Sequence, residues 1–327
     1  MKRLTALILA VLMMTVFCAC DMGGDDYVPG SGTAVAEGDS ATRGDYIYKV
    51  VEGGVEISKY IGNDTDVVIP DTISGQKILA IGEGAFADRY TLKSVDIPDT
   101  VVTIGKNAFR RCYKLEEVKG CEGVMWIGDE AFYYDESLKA YPWTENITAI
   151  GTRSFSWCSS LEKILIVSNC DTIGDYAFRN CTGATELKFE DNTVKAIGKE
   201  AFMCLFSITS LHYPYATDFI GEGAFKHASS LTKITFDNRV TKIANRAFQN
   251  SQAIEEIIVP SHITHIEEIA FGSCRNLKTL RIENPDLVEC GIHICLQLND
   301  VVTIYFPEEC DYMYGYIESF PYKYETF

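Results

Sequence analysis

The residue types that most readily carry chemistry are sparse in this chain and poorly grouped. His262 and His265 form the one histidine pair at a spacing seen in metal sites. Ile263 and Ile266 take the core-facing places there, so both imidazoles should face outward, and no cysteine or carboxylate completes a tetrahedral set. The adjacent carboxylates Asp25-Asp26, Glu116-Glu117, Glu255-Glu256 and Glu308-Glu309 fall on loops or on alternating strand faces, which does not oppose a general acid to a base. H-E-x-x-H, G-x-S-x-G, phosphate-loop and C-x-x-C patterns are absent. No catalytic residue, cofactor or metal is therefore assigned, and the chain reads as non-enzymatic. One tripeptide with binding chemistry stands apart: Arg43-Gly44-Asp45, the sequence that integrins read, in a stretch expected to be exposed.

Repetition positions the other side chains. The stretch Ile173-Gly174-Asp175-Tyr176-Ala177-Phe178 occurs in closely similar form nine times, with phenylalanine at 86, 109, 132, 155, 178, 202, 225, 248 and 271, so every step is 23 residues except one of 24. A period of this size marks a solenoid. After each phenylalanine come a leucine-like residue and then two apolar residues separated by one variable residue, as in Leu161, Ile164 and Ile166. That alternation is a strand with one buried face. A single unit cannot bury its face alone, and stacking the units as parallel strands about 4.8 Å apart lets each cover its neighbour. The recurring glycine (Gly82, Gly105, Gly128, Gly151, Gly174, Gly198, Gly221) suits a corner needing positive φ or close backbone approach, with Ala244 and Glu267 replacing it in the last two units. The Ala-Phe pair should open a short helical turn, its phenylalanines stacking as an internal spine. Pro142, between Tyr141 and Trp143, should interrupt the strand ladder.

The variable strand positions face outward and are the places to look for binding. Lys163, Leu165, Lys188, His212, Lys233, Glu256 and Ile258 are the candidate ligand-contacting residues. Lys163 beside Glu186 and Lys233 beside Glu256 should form lateral charge pairs. Leu165 and Ile258 have no evident structural reason to be apolar on an exposed face.

At these residues the chain resembles the BspA-type, or treponemal, leucine-rich repeat family, whose unit reads approximately L-x-x-I-x-I-P-x-x-V-x-x-I-G-x-x-A-F-x-x-C. The run from Leu92 through Ile97, Pro98, Val101, Ile104, Gly105, Ala108 and Phe109 to Cys112 matches nearly throughout. The resemblance implies an α/β leucine-rich-repeat solenoid, a right-handed stack with a parallel sheet, and about nine repeats plus terminal caps. It also implies a bacterial surface or secreted protein that binds a host matrix protein, a cell-surface protein or a glycan.

The remaining segments fit that frame. Residues 1–20 carry Lys2 and Arg3, an apolar run and a small residue before Cys20, which reads as a lipoprotein-type signal with Cys20 lipidated; ordinary secretion with cleavage nearby is the alternative. Residues 21–44 read as a flexible acidic tether, 45–77 as an N-terminal capping segment, 78–282 as the repeats, and 283–327 as a degenerate repeat with an aromatic cap. The net charge of −17 disfavours nucleic acid and anionic membranes, leaving a lipid anchor as the membrane link. Cys112, Cys158, Cys181 and Cys274 share one register position three residues after the phenylalanine, so buried thiols are expected, with Cys290, Cys295 and Cys310 the better place for a bridge. The reading is a surface binding or adhesion protein acting through its sheet face. A structural or coaggregation protein without a ligand, or a polysaccharide-acting enzyme with convergent carboxylates, are the alternatives.

Overall fold

The computed structural model describes residues 38–191, 193–291, 294, 302–313 and 323–327. Each 23-residue unit makes one turn of a solenoid, because every residue pairs with its counterpart in the next unit. Lys163, Ile164, Leu165 and Ile166 thus lie beside Glu186, Leu187, Lys188 and Phe189 in parallel register. Each turn lays down a four-residue front strand such as Ser94–Ile97, Lys163–Ile166 or Thr279–Ile282, and a side strand such as Thr103–Ile104 or Thr172–Ile173. The side strands number eleven, from Gly54–Tyr60 to Glu289–Cys290, so the solenoid has about eleven turns rather than nine repeats. The first additional turn is hidden because Tyr60 takes the place of the phenylalanine, stacked on Phe86 with ring centroids 5.0 Å apart.

The expected helical turn at the Ala-Phe pair does not form, and the α/β label does not hold. Among the described residues only 311–313 are helical. An α-helix with its side chains is about 10 Å across, and rungs about 4.8 Å apart leave no room to stack one on every turn. The chain instead makes two tight turns per unit. Asn107, Phe109 and Arg111 donate N–H bonds of 2.9, 2.7 and 2.8 Å to carbonyls of the next rung, while Ala108, Arg110 and Cys112 bond to carbonyls three residues back in their own rung. This alternation requires left-handed backbone two residues before and two after each phenylalanine: Asn107 at φ 56° and Arg111 at φ 59°, Tyr176 at 59° and Asn180 at 63°. Non-glycine residues seldom adopt it, and here the rung-to-rung bonds hold them in it.

The recurring glycines have ordinary φ, so the close-approach half of their expected role is the operative one. A Cβ on Gly174 would stand 2.5 Å from Thr152 N and 2.6 Å from Gly151 C. Six such glycines, from Gly105 to Gly221, meet the backbone of the rung before them in this way. Where Ala244 replaces glycine, the side ladder ends: Tyr215–Ile220 closes one sheet and Lys242–Ile243 opens another. The Ala244 N–H, deprived of the usual carbonyl, donates to the buried Tyr213 hydroxyl at 3.2 Å. The phenylalanine spine widens in the same region. Its centroids lie 5.0 to 5.4 Å apart from Phe86 to Phe225, then 6.1 and 6.0 Å on to Phe248 and Phe271.

Pro142 breaks the front ladder as its missing N–H demands, leaving only a bridge from Glu117 to Ala140. Tyr141 stays buried and the Trp143 indole packs half-buried on Phe155 and Phe178, so both remain with the core. The cysteine column is a row of reduced thiols. Cys112, Cys158, Cys181 and Cys274 each donate S–H to the carbonyl of a spine phenylalanine of the preceding rung at 3.1 to 3.2 Å. All nine described cysteines are free, Cys290 and Cys310 included; Cys295 lies outside the described residues.

At the N-terminus strands Ser40–Arg43 and Tyr46–Val51 add antiparallel to Gly54–Tyr60 and so cover the first rung. Residues 40–43, assigned to the tether by composition, are therefore part of the cap. Cys20 and residues 21–37 of the tether lie outside the described residues. At the other end Lys323–Thr326 adds a last parallel strand beside Thr303–Phe306, with Arg281 over the Phe327 ring. Phe178→Ala, at the middle of the spine, should lower unfolding stability by about 3 to 5 kcal/mol, measured by chemical denaturation.

Candidate functional site

The front strands carry the outward residues as the alternation requires, with two departures. Lys163 Nζ lies 3.2 Å from a Glu186 carboxylate oxygen, the expected lateral pair. Lys233 and Glu256 form no such pair, because Lys233–Phe236 and Glu256–Val259 belong to separate sheets. Leu165 is half-buried against the core rather than exposed, whereas Ile258 keeps 45% of its surface open. Arg43, Gly44 and Asp45 are all exposed, on the N-terminal hairpin and remote in register from the front strands.

Two of the candidates, Lys188 and His212, converge where the front ladder opens between Glu186–Phe189 and Ser210–Tyr213. A shallow cleft of about 340 Å³ lies there, lined by Leu187, Lys188, Phe189, Glu190 and His212. The single 24-residue step falls in this unit, and the adjoining side ladder is irregular, its register shifting by one between Val194 opposite Ala216 and Ala196 opposite Phe219. His212 Nδ1 sits 2.8 Å from Thr235 Oγ1, and Glu190 accepts from the Ser168 N–H at 3.1 Å and from its hydroxyl at 3.2 Å. Beyond His212, Asp237 is buried and gripped by Arg239 through Nε at 2.7 Å and a second guanidinium nitrogen at 2.8 Å. That grip holds the Asp237 carboxyl down at about 2. The Arg239 guanidinium lies over the Tyr215 ring, 5.1 Å from its centroid. Lys188 and Lys233 are exposed on either side of His212 and form no ion pair among the described residues. Sequence reading missed Glu190, Asp237 and Arg239, which lie in turns, and Tyr215, which opens the side strand Tyr215–Ile220, all outside the alternating pattern; the irregular step was the one signal pointing to them.

A family model described as a BspA type leucine-rich repeat region matches residues 79–203 and 195–320 in six copies. The chain belongs to the BspA-type leucine-rich repeat family. No curated protein sequence matches it. Among solved structures it is similar to a leucine-rich cell surface protein of Faecalibacterium prausnitzii A2-165, at 20% identity and TM-score 0.46 over 84% of this chain and 96% of that one. It is similar also to the T. pallidum leucine-rich repeat protein TpLRR, at 20% identity and TM-score 0.41 over 88% and 98%. The pneumococcal vaccine antigen PcpA matches at 16% identity and TM-score 0.42 over 89% and 99%.

Within the BspA-type repeats the strongly perturbed acid is sealed off from any substrate. Asp135 occupies the cysteine column, fully buried between the rungs of Cys112 and Cys158. Its Oδ1 accepts the Cys112 N–H at 2.7 Å, while Oδ2 is buried with no partner. Desolvation pushes its carboxyl well above the usual range. Burial likewise pushes the Cys121, Cys170 and Cys274 thiols up to about 12, which suits packing rather than nucleophilic chemistry. His262 and His265 are half-buried rather than fully outward, and His262 Nε2 is covered without a partner. Among the described residues no group of three or more His, Cys, Asp or Glu is placed to hold a metal, and no helix is long and apolar enough to cross a membrane.

Asp135 makes stability depend on pH with a definite sign. Its folded value is raised, so between the unfolded aspartate value and the folded one the native state holds more protons, and stability falls as pH rises. Asp135→Cys, which restores the column, should unfold at a higher temperature. Its advantage should widen from about pH 4 to about pH 8 in thermal melts.

Proposed function

We propose that this BspA-type protein is a non-enzymatic adhesion or binding protein of the bacterial surface, and that its ligand docks on the front sheet face across the cleft at Lys188 and His212. The observation that carries this reading is the coincidence of three features: a break in the front ladder, a cleft with apolar walls at Leu187 and Phe189, and two lysines without ion pairs in a strongly acidic chain. On other strands Lys139 is matched by Glu116 at 2.6 Å and Lys278 by Glu255 at 3.0 Å, whereas Lys188 and Lys233 have no such carboxylate among the described residues. A cation left without a carboxylate is available to an anionic group of an extracellular protein or acidic glycan. Ile258, exposed further along the same face, would extend the contact. Family membership supports surface display, and the absence of any opposed carboxylate pair in the cleft weighs against hydrolysis of the ligand.

Binding of the purified full-length chain to an array of matrix proteins and sulfated or uronic-acid glycans tests this. Saturable binding should weaken about tenfold in a Lys188→Glu, Lys233→Glu double variant, and fall with added salt. Binding indifferent to both changes would remove the site from this face. Absence of any saturable ligand would favour the structural or coaggregation reading.

The lipid anchor at Cys20 belongs to the same proposal and rests on the sequence of residues 1–20. Expressed in a bacterium and fed a labelled fatty acid, the protein should incorporate label and stay with the membrane fraction. Cys20→Ala should lose the label and appear in the soluble fraction.

A further inference from the structure

The N-terminal hairpin carries a feature that the front-face reading does not use. Strands Ser40–Arg43 and Tyr46–Val51 pair antiparallel, with Arg43 opposite Tyr46, so the two-residue turn between them is Gly44-Asp45. The Arg-Gly-Asp tripeptide is therefore the apex of the hairpin, and all three residues are exposed. Neither the Arg43 guanidinium nor the Asp45 carboxylate forms an ion pair or side-chain hydrogen bond among the described residues, in a cap where other charges do pair, as Lys49 does with Glu56 at 3.1 Å.

The apex is also held in place. Arg43 is fixed by its strand pairing, and the Asp45 carbonyl accepts the Ile61 N–H at 2.8 Å, tying the turn to the next segment of the cap. Gly44 sits at φ +58° with nothing within 4 Å of where a Cβ would be, so the outer surface of the turn is open to an approaching macromolecule. A guanidinium and a carboxylate one residue apart on a pinned turn lose little conformational entropy on binding. Their complement is a receptor with an acidic pocket for the cation and a bound divalent cation to take the carboxylate.

We propose that Arg43-Gly44-Asp45 is a second attachment site, recognised by cation-dependent receptors of the integrin class through Arg43 in an acidic pocket and Asp45 on the receptor's metal. The site is independent of the front face. Oxygen ligation by a single carboxylate is geometrically demanding, so one added methylene at Asp45 misplaces the group while keeping its charge.

The test is surface plasmon resonance of the full-length chain over immobilised αv and α5 integrin ectodomains in manganese-containing buffer. The expected result is saturable binding that is abolished by EDTA, displaced by a cyclic Arg-Gly-Asp peptide, and weakened about tenfold or more by Asp45→Glu and by Gly44→Ala. Asp45→Glu leaves the backbone bond to Ile61 available and carries the test, whereas a Cβ at Gly44 meets no protein atom but is strained at φ +58°, so the loss in Gly44→Ala counts only if its thermal melt is unchanged, as that of Asp45→Glu must also be. The Lys188→Glu, Lys233→Glu variant should bind these receptors like the parent, which separates this site from the front face. No binding by the parent chain, binding that survives EDTA, or binding unaffected by Asp45→Glu would each overturn the proposal.

Discussion

Rungs about 4.8 Å apart, each placed directly over the last, are the constraint that the rest of this molecule answers to. The spacing admits flat rings stacked face over face, which is why phenylalanine recurs at the centre of the turn. It favours glycine where consecutive backbones touch, as at Gly174, where a Cβ would stand 2.5 Å from Thr152 N. It excludes a helix on the third side and leaves the turn there to satisfy its N–H groups by sending alternate ones up the rod. The left-handed residues at positions such as Asn107 and Arg111 follow from that bonding pattern and from no preference of their own.

The places where a residue breaks this rule are the places where the surface becomes irregular. Pro142 removes a donor, the unit between Phe178 and Phe202 contains one residue too many, and Ala244 brings a methyl group to a backbone contact. Each has a local counterpart: a lone bridge at Ala140, a register shift between Val194 and Ala196 with a cleft beside Lys188, and a sheet boundary bridged by the Tyr213 hydroxyl. The core continues through all three, because the spine needs only ring contact and tolerates about 1 Å of extra spacing. A solenoid of this kind can therefore acquire a recessed site without losing its continuity.

Much of this was legible in the sequence, and what was not had physical reasons. The period, the inward pairs, the thiol column and the effect of Pro142 follow from apolar spacing and missing donors, so they could be read directly. The left-handed turns could not, since Asn107, Glu130, Arg153 and Tyr176 share a conformation but no chemistry. The first turn was hidden because Tyr60 serves as a spine ring within an otherwise antiparallel cap. Lys233 and Glu256 were expected to pair on register alone, but their strands belong to separate sheets, and nothing in the outward alternation marks that break. The Asp237–Arg239 clamp lies within a turn, where repeat periodicity says nothing about side chains.

Periodicity also bears on where recognition can sit. On the front face every outward residue stands beside the residue 23 positions on, so its electrostatics are set by a neighbour it cannot escape, and most cations there are neutralised. A binding group must then either lie at a fault in the ladder, as Lys188 does, or lie outside the repeat. The hairpin apex at Gly44 meets the second condition: its strands run antiparallel, its register partner is across the turn rather than in the next rung, and no copy of it follows. Arg43 and Asp45 therefore lie outside the lateral pairing that the rungs impose, and both are exposed without an ion pair among the described residues.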